Sequence, residues 1–233
     1  LSVSAGPTFY HYWNRQINNR DKILEKPSEV GLDSMSVYRR KMYVGGKAAM
    51  LINNLNSELL PTRGIHWNTE LNFLAGLTDG SGALTKINSD MVVYASMAQP
   101  AKTVAVLRVG AGHIFNKQFE YFQALTLGAN NFLRGFRKDR FSGNSVFYTS
   151  IELRQKLFTS KWYVVPGDVG IVLYNDLGRV WYFKETSRRW HNAYGGGLYY
   201  VPFNMVLVSA TMTWSKEEKL FNFSVGTKIN LTF

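Results

Sequence analysis

The sequence predicts an all-β protein: a transmembrane antiparallel β-barrel with about ten strands in these 233 residues. Three observations lead there. The last fourteen residues, LFNFSVGTKINLTF (220–233), alternate in character. Phe221, Phe223, Val225, Thr227, Ile229, Leu231 and Phe233 are apolar or weakly polar, whereas Asn222, Ser224, Gly226, Lys228, Asn230 and Thr232 are small, polar or charged. Period two makes this a strand with one apolar and one wet face. It exceeds the globular mode of about five or six residues and reaches the roughly 9–11 that cross a bilayer at a tilt. Secondly, aromatic residues make up 15% of the chain (13 Tyr, 15 Phe, 6 Trp), the supply that girdles at two membrane interfaces require. Thirdly, the alternation recurs along the whole chain with turn residues between the segments and no convincing helix.

In chain order the expected strands are 1–14, 38–54, 64–77, 89–99, 102–115, 144–157, 167–178, 190–201, 205–215 and 220–233. Asp79-Gly80-Ser81-Gly82, Gln99-Pro100-Ala101 and Pro202-Phe203-Asn204 supply turn chemistry between them. Lys216-Glu217-Glu218-Lys219 is a charged loop that belongs in water. The segment MLINNLNSELL within Ala48–Leu60 has some helical period but reads as a strand running into a loop. One long irregular stretch, 116–143, remains. A loop of that length is uncommon in a compact domain unless it is functional.

Composition narrows the class further. No run of eighteen apolar residues exists, which excludes a helical membrane protein, while the mean hydropathy of −0.16 suits strands whose alternation averages out. The absence of cysteine excludes a disulfide framework and thiolate metal sites. The net charge of +11 reads first as a basic lumen and basic solvated loops, with attraction to anionic lipid headgroups or polyanions as the alternative. No RNP-type motif, helix-turn-helix or zinc ligand set is present, so no nucleic-acid partner is expected.

The long loop contains Leu127-Gly128-Ala129-Asn130-Asn131-Phe132-Leu133-Arg134-Gly135-Phe136, followed by a strand with Glu152 (YTSIELR) and one with Tyr174-Asn175-Asp176-Leu177-Gly178. Alternation puts Tyr148, Ser150, Glu152 and Arg154 on one face and Phe147, Ile151 and Leu153 on the other. Val172, Tyr174 and Asp176 likewise oppose Ile171, Leu173 and Leu177. Acids facing hydrocarbon are expensive, so Glu152 and Asp176 are expected in the lumen. There the Arg134 guanidinium can bridge both carboxylates, with Gly135 supplying backbone freedom for a tight turn behind it. The competing reading is three ordinary hydrated charges.

An RGF loop tip, an E-L-R strand and an aromatic-x-D-x-G strand, in this order, resemble the BamA/TamA superfamily of outer-membrane barrels (bacterial surface antigen proteins). The resemblance is specific over 121–233; over 1–120 it rests on strand rhythm. It implies that Arg134, Gly135 and Phe136 form a loop tip inside the barrel, that Glu152 and Asp176 are its acid partners, and that Tyr174 and Gly178 belong to the strand motif. Tyr174 stands where phenylalanine is more usual. Five strands after the loop match the end of a sixteen-stranded barrel, an even count as this class uses. Residues 1–233 are therefore expected to be the carboxy-terminal part of one barrel domain, with 116–143 inserted into the lumen. About six strands and any periplasmic domains, like an export signal before Leu1, are expected to lie outside this stretch.

The function this resemblance implies is assembly, insertion or translocation through a lateral seam, with no chemistry, cofactor or metal in this segment. Strand 220–233 would form one side of the seam, its mid-strand Gly226 weakening pairing and its aromatic terminus Phe233 serving as an assembly signal. The implied location is the outer membrane of a Gram-negative bacterium. The implied partners are outer-membrane lipid and lipopolysaccharide, client β-barrel strands or a secreted protein, and the rest of the barrel with its periplasmic domains. A finer resemblance, through FRKDRFSGNSVFY, DLGRVW and WHNAYGGGLYYVP, is to barrels fused to an amino-terminal metallophosphoesterase domain. It supports the alternative of a membrane anchor for an envelope phosphoesterase or lipase. An omptin-like protease and a passive porin are weaker alternatives: only His113 lies near an acid, and a porin has no use for the Arg–Glu–Asp set. His11, His66, His113 and His191 lack metal-ligand spacing. Gly195-Gly196-Gly197 sits within a strand, where it permits a bend or close packing rather than dinucleotide binding. Arg137, Lys138 and Arg140 around Asp139 read as a solvated loop, or as contacts to lipopolysaccharide phosphates or lumen acids.

Overall fold

The structure is a computed structural model that describes residues 1–15, 37–129, 132–163, 165–182 and 189–227. Its strands in chain order are β1 (Ser2–Tyr12), β2 (Lys41–Leu55), β3 (Gly64–Gly76), β4 (Leu84–Ser96), β5 (Thr103–Ile114), β6 (Leu125–Leu127), β7 (Phe141–Gly143), β8 (Ser145–Ser160), β9 (Gly167–Trp181), β10 (His191–Pro202), β11 (Val206–Ser215) and β12 (Lys219–Thr227). Ten of these form one antiparallel sheet in the order β1-β2-β3-β4-β5-β8-β9-β10-β11-β12, each strand paired with its neighbour in sequence. The short β6 and β7 pair with each other inside the long loop. The sheet is open, with β1 and β12 at its two edges.

The expected strands are all present, with shifted ends. The fourth begins at Leu84 rather than at residue 89, because Lys86, Asn88 and Asp90 pair with β5 in continuous register from Lys86↔Ile114 to Ser96↔Val104. Its polar inner face masks the alternation at that end. Ala48–Leu60 behaves as expected, β2 running to Leu55 before the turn. The stretch 116–143 is less irregular than expected. It holds a 3₁₀ turn at Tyr121–Gln123 and the β6–β7 ribbon. Positions 228–233, with Lys228, Ile229, Asn230, Leu231 and Phe233, lie outside the described residues, as do Asn130 and Asn131.

The two faces of the sheet differ as a barrel wall requires. On the outer face Ile151 is 62% exposed and Phe221 68%, and Phe73, Leu107, Leu173, Leu198 and Phe223 are exposed with them. On the inner face Tyr148, Tyr174 and Asp176 are buried. The sheet also curls: Leu59 and Leu60, in the β2–β3 turn, pack against the cluster of Val172, Tyr174, Tyr199 and Val201 on β9 and β10, as does Leu207 of β11. Strands that far apart in order meet only across a concave face. The turn itself is knit by Asn56, whose Oδ1 accepts from the backbone N–H groups of Thr62 (3.0 Å) and Arg63 (3.1 Å).

Inner tyrosines and glycines are matched across strands. Tyr148 stands opposite Gly110, Tyr174 opposite Gly195 and Tyr199 opposite Gly170. A Cβ on Gly110 would lie 2.1 Å from the Tyr148 ring, so only glycine leaves room for the aromatic wall. The main core lies between the loop and this inner face, where Leu127, Leu133 and Phe136 pack with Ile114, Val146, Tyr148 and Ala193.

This facing predicts a labelling pattern on β12. The chain has no native cysteine, so single cysteines can be introduced at Asn222, whose side chain bonds inward to Thr213, and at Val225, 56% exposed on the outer face. In a bilayer, a membrane-impermeant thiol reagent is expected to label residue 222 and spare residue 225. Equal labelling would remove the membrane-spanning assignment of this strand.

Candidate functional site: an arginine-bearing loop on the inner face

The loop reaches its site by being anchored along its length. At its start, Glu120 meets the Lys41 ammonium of β2 at 2.5 Å, with Lys41 only 1% exposed. Tyr121 and Tyr12 of β1 are hydrogen-bonded through their hydroxyls, and Phe122 stacks on Tyr12 at 3.9 Å. Near its end, Arg137 and Arg140 pair with Glu218 (2.7 Å) and Glu217 (2.9 Å) in the β11–β12 turn. The loop cations thus face a neighbouring turn, a pairing that the charged segment 216–219 could have suggested. Lys138 is exposed.

Between these anchors the tip places Arg134 over β8 and β9. Its Nε and Nη2 donate to the two oxygens of Asp176 at 2.8 and 2.7 Å, a bidentate pair. Nη1 donates to Glu152 Oε2 at 2.7 Å and Nη2 also to Ser150 Oγ at 2.9 Å. The Arg134 backbone N–H adds a bond to Asp176 Oδ2 at 3.1 Å. Ser150, directly opposite Asp176 in the ladder, donates to its Oδ1 at 2.6 Å. The other oxygen of Glu152 accepts from Arg154 Nε at 2.6 Å. Asp176 is 1% exposed, so its charge depends on these donors. Burial opposes the Arg134 charge, but the hydrogen bond and charge of Asp176, reinforced by Glu152, outweigh it and raise the guanidinium pKa. The group stays cationic.

Tyr174 is the floor of the site. The guanidinium carbon sits 3.4 Å from its ring centroid, within cation–π range. The Tyr174 hydroxyl meets Thr213 Oγ1 of β11 at 2.5 Å, and Thr213 accepts from Asn222 Nδ2 of β12 at 3.1 Å. A phenylalanine at 174 could not make this connection to the edge strand.

The glycines act through space rather than conformation. Among the described loop residues, positive φ falls on Phe132 (69°) and Asp139 (50°), not on Gly135. The expectation that Gly135 supplies turn freedom is therefore corrected. A Cβ there would lie 2.5 Å from Ala193 Cβ, so glycine is required by close approach to β10. Gly178 faces the loop in the same way, 2.5 Å being the distance from its missing Cβ to Leu127. Phe136 is buried against Phe141 and His191, at ring separations of 5.2 and 5.7 Å. Gly226 pairs with Leu207 in unbroken register at the edge.

A second cluster was not anticipated. Asp90 of β4 accepts from Arg108 Nε (2.9 Å) and Nη2 (2.8 Å) and from the Tyr148 hydroxyl (2.8 Å). Phe132 of the loop lies between the Arg108 guanidinium, 4.1 Å away, and the Tyr148 ring, 4.2 Å away and nearly parallel. Alternation does put Asp90 and Arg108 on inner faces. Their diagonal adjacency follows only from the β4–β5 register, in which Asp90 opposes Gly110. Of the histidines, His113 bonds Ser145 Oγ at 2.7 Å and His191 stacks on Phe141 at 3.7 Å. Among the described residues no three His, Asp or Glu side chains converge as a metal site.

The chain matches the Omp85 superfamily domain over residues 2–230, nearly its whole length. It belongs to the Omp85 superfamily. Among solved structures, this Omp85 chain is similar to the crystal structure of BamA from Haemophilus ducreyi lacking POTRA domains 1–3, with a TM-score of 0.67 and 15% identity. The match covers 96% of this chain and 51% of that one, so the chain spans about half the length of that BamA structure. At this identity the likeness establishes the fold. Comparison with curated proteins gives no match.

Proposed function

We propose that this Omp85 chain is the carboxy-terminal part of an outer-membrane barrel that assembles or translocates other proteins, in a Gram-negative envelope. Its partners on this reading are client β-strands or a secreted protein, the remaining strands of its own barrel, and periplasmic domains. The observation that best supports it is the Arg134–Asp176–Glu152 set, which fastens a 28-residue stretch (116–143) to two strands near an open edge. Such a device holds the loop and the last strands together while leaving β12 as a pairing edge. Unpaired backbone groups within lipid cost several kcal/mol each, so that edge must pair, either with further strands of the barrel or with a client by strand addition. The proposed mechanism uses no cofactor: the loop braces β8 and β9, Tyr174 and Thr213 relay that bracing to Asn222, and opening occurs beyond β12.

The test uses the full-length protein in cells. A photo-crosslinking residue at Phe223, on the outer face of the edge strand, is expected to capture nascent barrel proteins. One at Leu173, also outward but three strands inside the sheet, is expected to capture none. Depletion should lower the levels of other outer-membrane barrels. Normal barrel levels, together with loss of an envelope phosphoesterase or lipase activity, would favour the anchoring alternative suggested by the finer sequence resemblance.

A further inference from the structure

The charged residues of the strands are sorted by sign and by face. Among the described residues, every strand acid points inward and is paired there. Glu70 meets Lys47, Asp90 meets Arg108, Glu152 meets Arg134 and Arg154, Asp168 meets Lys156, and Asp176 meets Arg134. Among the described residues, strand cations other than Arg179 and Lys219 also lie on that inner side. By alternation Arg179 and Lys219 point outward: Arg179 shares the face of Leu173, and Lys219 that of Phe221 and Phe223. Both stand at the end of the sheet that carries the long loop, two residues before the end of β9 and at the first residue of β12.

Arg179 is set among aromatic rings. Its guanidinium carbon is 4.8 Å from the Trp181 ring and 5.8 Å from the Trp190 ring. Trp181 and Trp190 meet edge to face at 6.2 Å, and Phe147, directly opposite Arg179 in the ladder, meets Trp190 at 6.1 Å. Lys219 is paired in register with Trp214, which stacks on Tyr194 at 6.1 Å. Indole rings settle at the headgroup level of a bilayer. A cation held at that depth, on a face that is mainly apolar with the Asn175–Asn192 pair beside it, has anionic headgroups as its complement. A guanidinium further matches the oxygens of a phosphate with its fork of donors.

We propose that the outer face around Arg179, Trp181 and Trp190, with Lys219 as a second contact, binds the phosphate of a phosphorylated glycolipid in the leaflet at the loop end. The choice of glycolipid rests on the proposed outer-membrane location, taken together with the loop end facing the cell exterior. The phosphate requirement rests on the charge pattern alone. Binding there would fix the depth and tilt of β9–β12, the strands that flank the open edge.

The test measures lipid retention by the detergent-purified full-length protein, using native mass spectrometry with lipid A, enzymatically dephosphorylated lipid A, phosphatidylglycerol and inorganic phosphate. Lipid A is expected to bind at least about fivefold more tightly than its dephosphorylated form, the factor that one basic residue at an anionic surface contributes. Arg179→Gln is expected to lose that preference, and Arg179→Lys to keep most of it. Equal retention of lipid A and its dephosphorylated form by the unaltered protein would overturn the proposal, and that arm needs no variant to fold. Equal retention of phosphatidylglycerol would overturn the glycolipid assignment, and displacement by inorganic phosphate would overturn a lipid site. Labelling of Lys138→Cys on intact cells reports separately which side the loop faces. A failed sidedness reading is therefore distinguishable from a failed binding site.

Discussion

Arg134→Ala is expected to destabilise the protein by roughly 3–5 kcal/mol, the usual consequence of removing one partner from a buried ion pair. The effect is dominated by Asp176, which is 1% exposed and would keep Ser150 and the backbone N–H of residue 134 as donors while losing both bonds from the guanidinium. Glu152 suffers less because Arg154 still pairs with it. Arg134→Lys should recover only part of the loss, since an ammonium cannot span Asp176 bidentately and reach Glu152 as well. Arg137→Ala is the control: its pair with Glu218 is on a side chain 76% exposed, and such pairs contribute at most about 1 kcal/mol. Urea unfolding in detergent or vesicles, followed by heat-modifiable gel mobility, checks the order. Equal losses for the Arg134 and Arg137 variants would show that the inner site is effectively solvated and does not hold the loop.

Phe136→Ala should have a comparable effect by a different route. Phe136 is 2% exposed in the core formed by the loop and the inner face. Truncation would leave a cavity beneath Leu127, Leu133 and Phe141, and changes of this kind cost about 3–5 kcal/mol. Phe136→Leu, closer in volume, should cost clearly less. Hydrogen exchange separates this variant from the arginine one. Loss of Phe136 is expected to raise exchange first in the β6–β7 ribbon, whereas loss of Arg134 should act first at the tip and along β9. Because both side chains secure one loop, the double variant should lose less than the sum of the two. Strict additivity would mean that tip and ribbon are held independently.

Much of this arrangement was legible in the sequence. Strand existence and facing followed from period two, because each side chain must meet either hydrocarbon or a wet lumen, and Ile151, Leu173 and Phe221 had nowhere else to point. The convergence of Arg134 with Glu152 and Asp176 was open to the same argument, helped by their order directly after the loop. The role of Gly135 was not. A glycine that is needed for close approach looks the same in sequence as one needed for a turn, and only the position of Ala193 separates the two. The Asp90–Arg108–Tyr148 cluster around Phe132 was also hidden, since it depends on the register of β4 against β5 and β5 against β8.

The sequence alone therefore determined the fold class, the strand order and the face of nearly every strand residue, all of them consequences of local periodicity in two solvents. The tertiary structure decided which loop residues touch which strands: Lys41 with Glu120, Phe122 with Tyr12, Phe132 between Arg108 and Tyr148, and Arg137 and Arg140 with the β11–β12 turn. Those contacts join residues tens of positions apart across a curved sheet. Curvature and register arise from the summed packing of all the strands, and no short stretch of sequence encodes them.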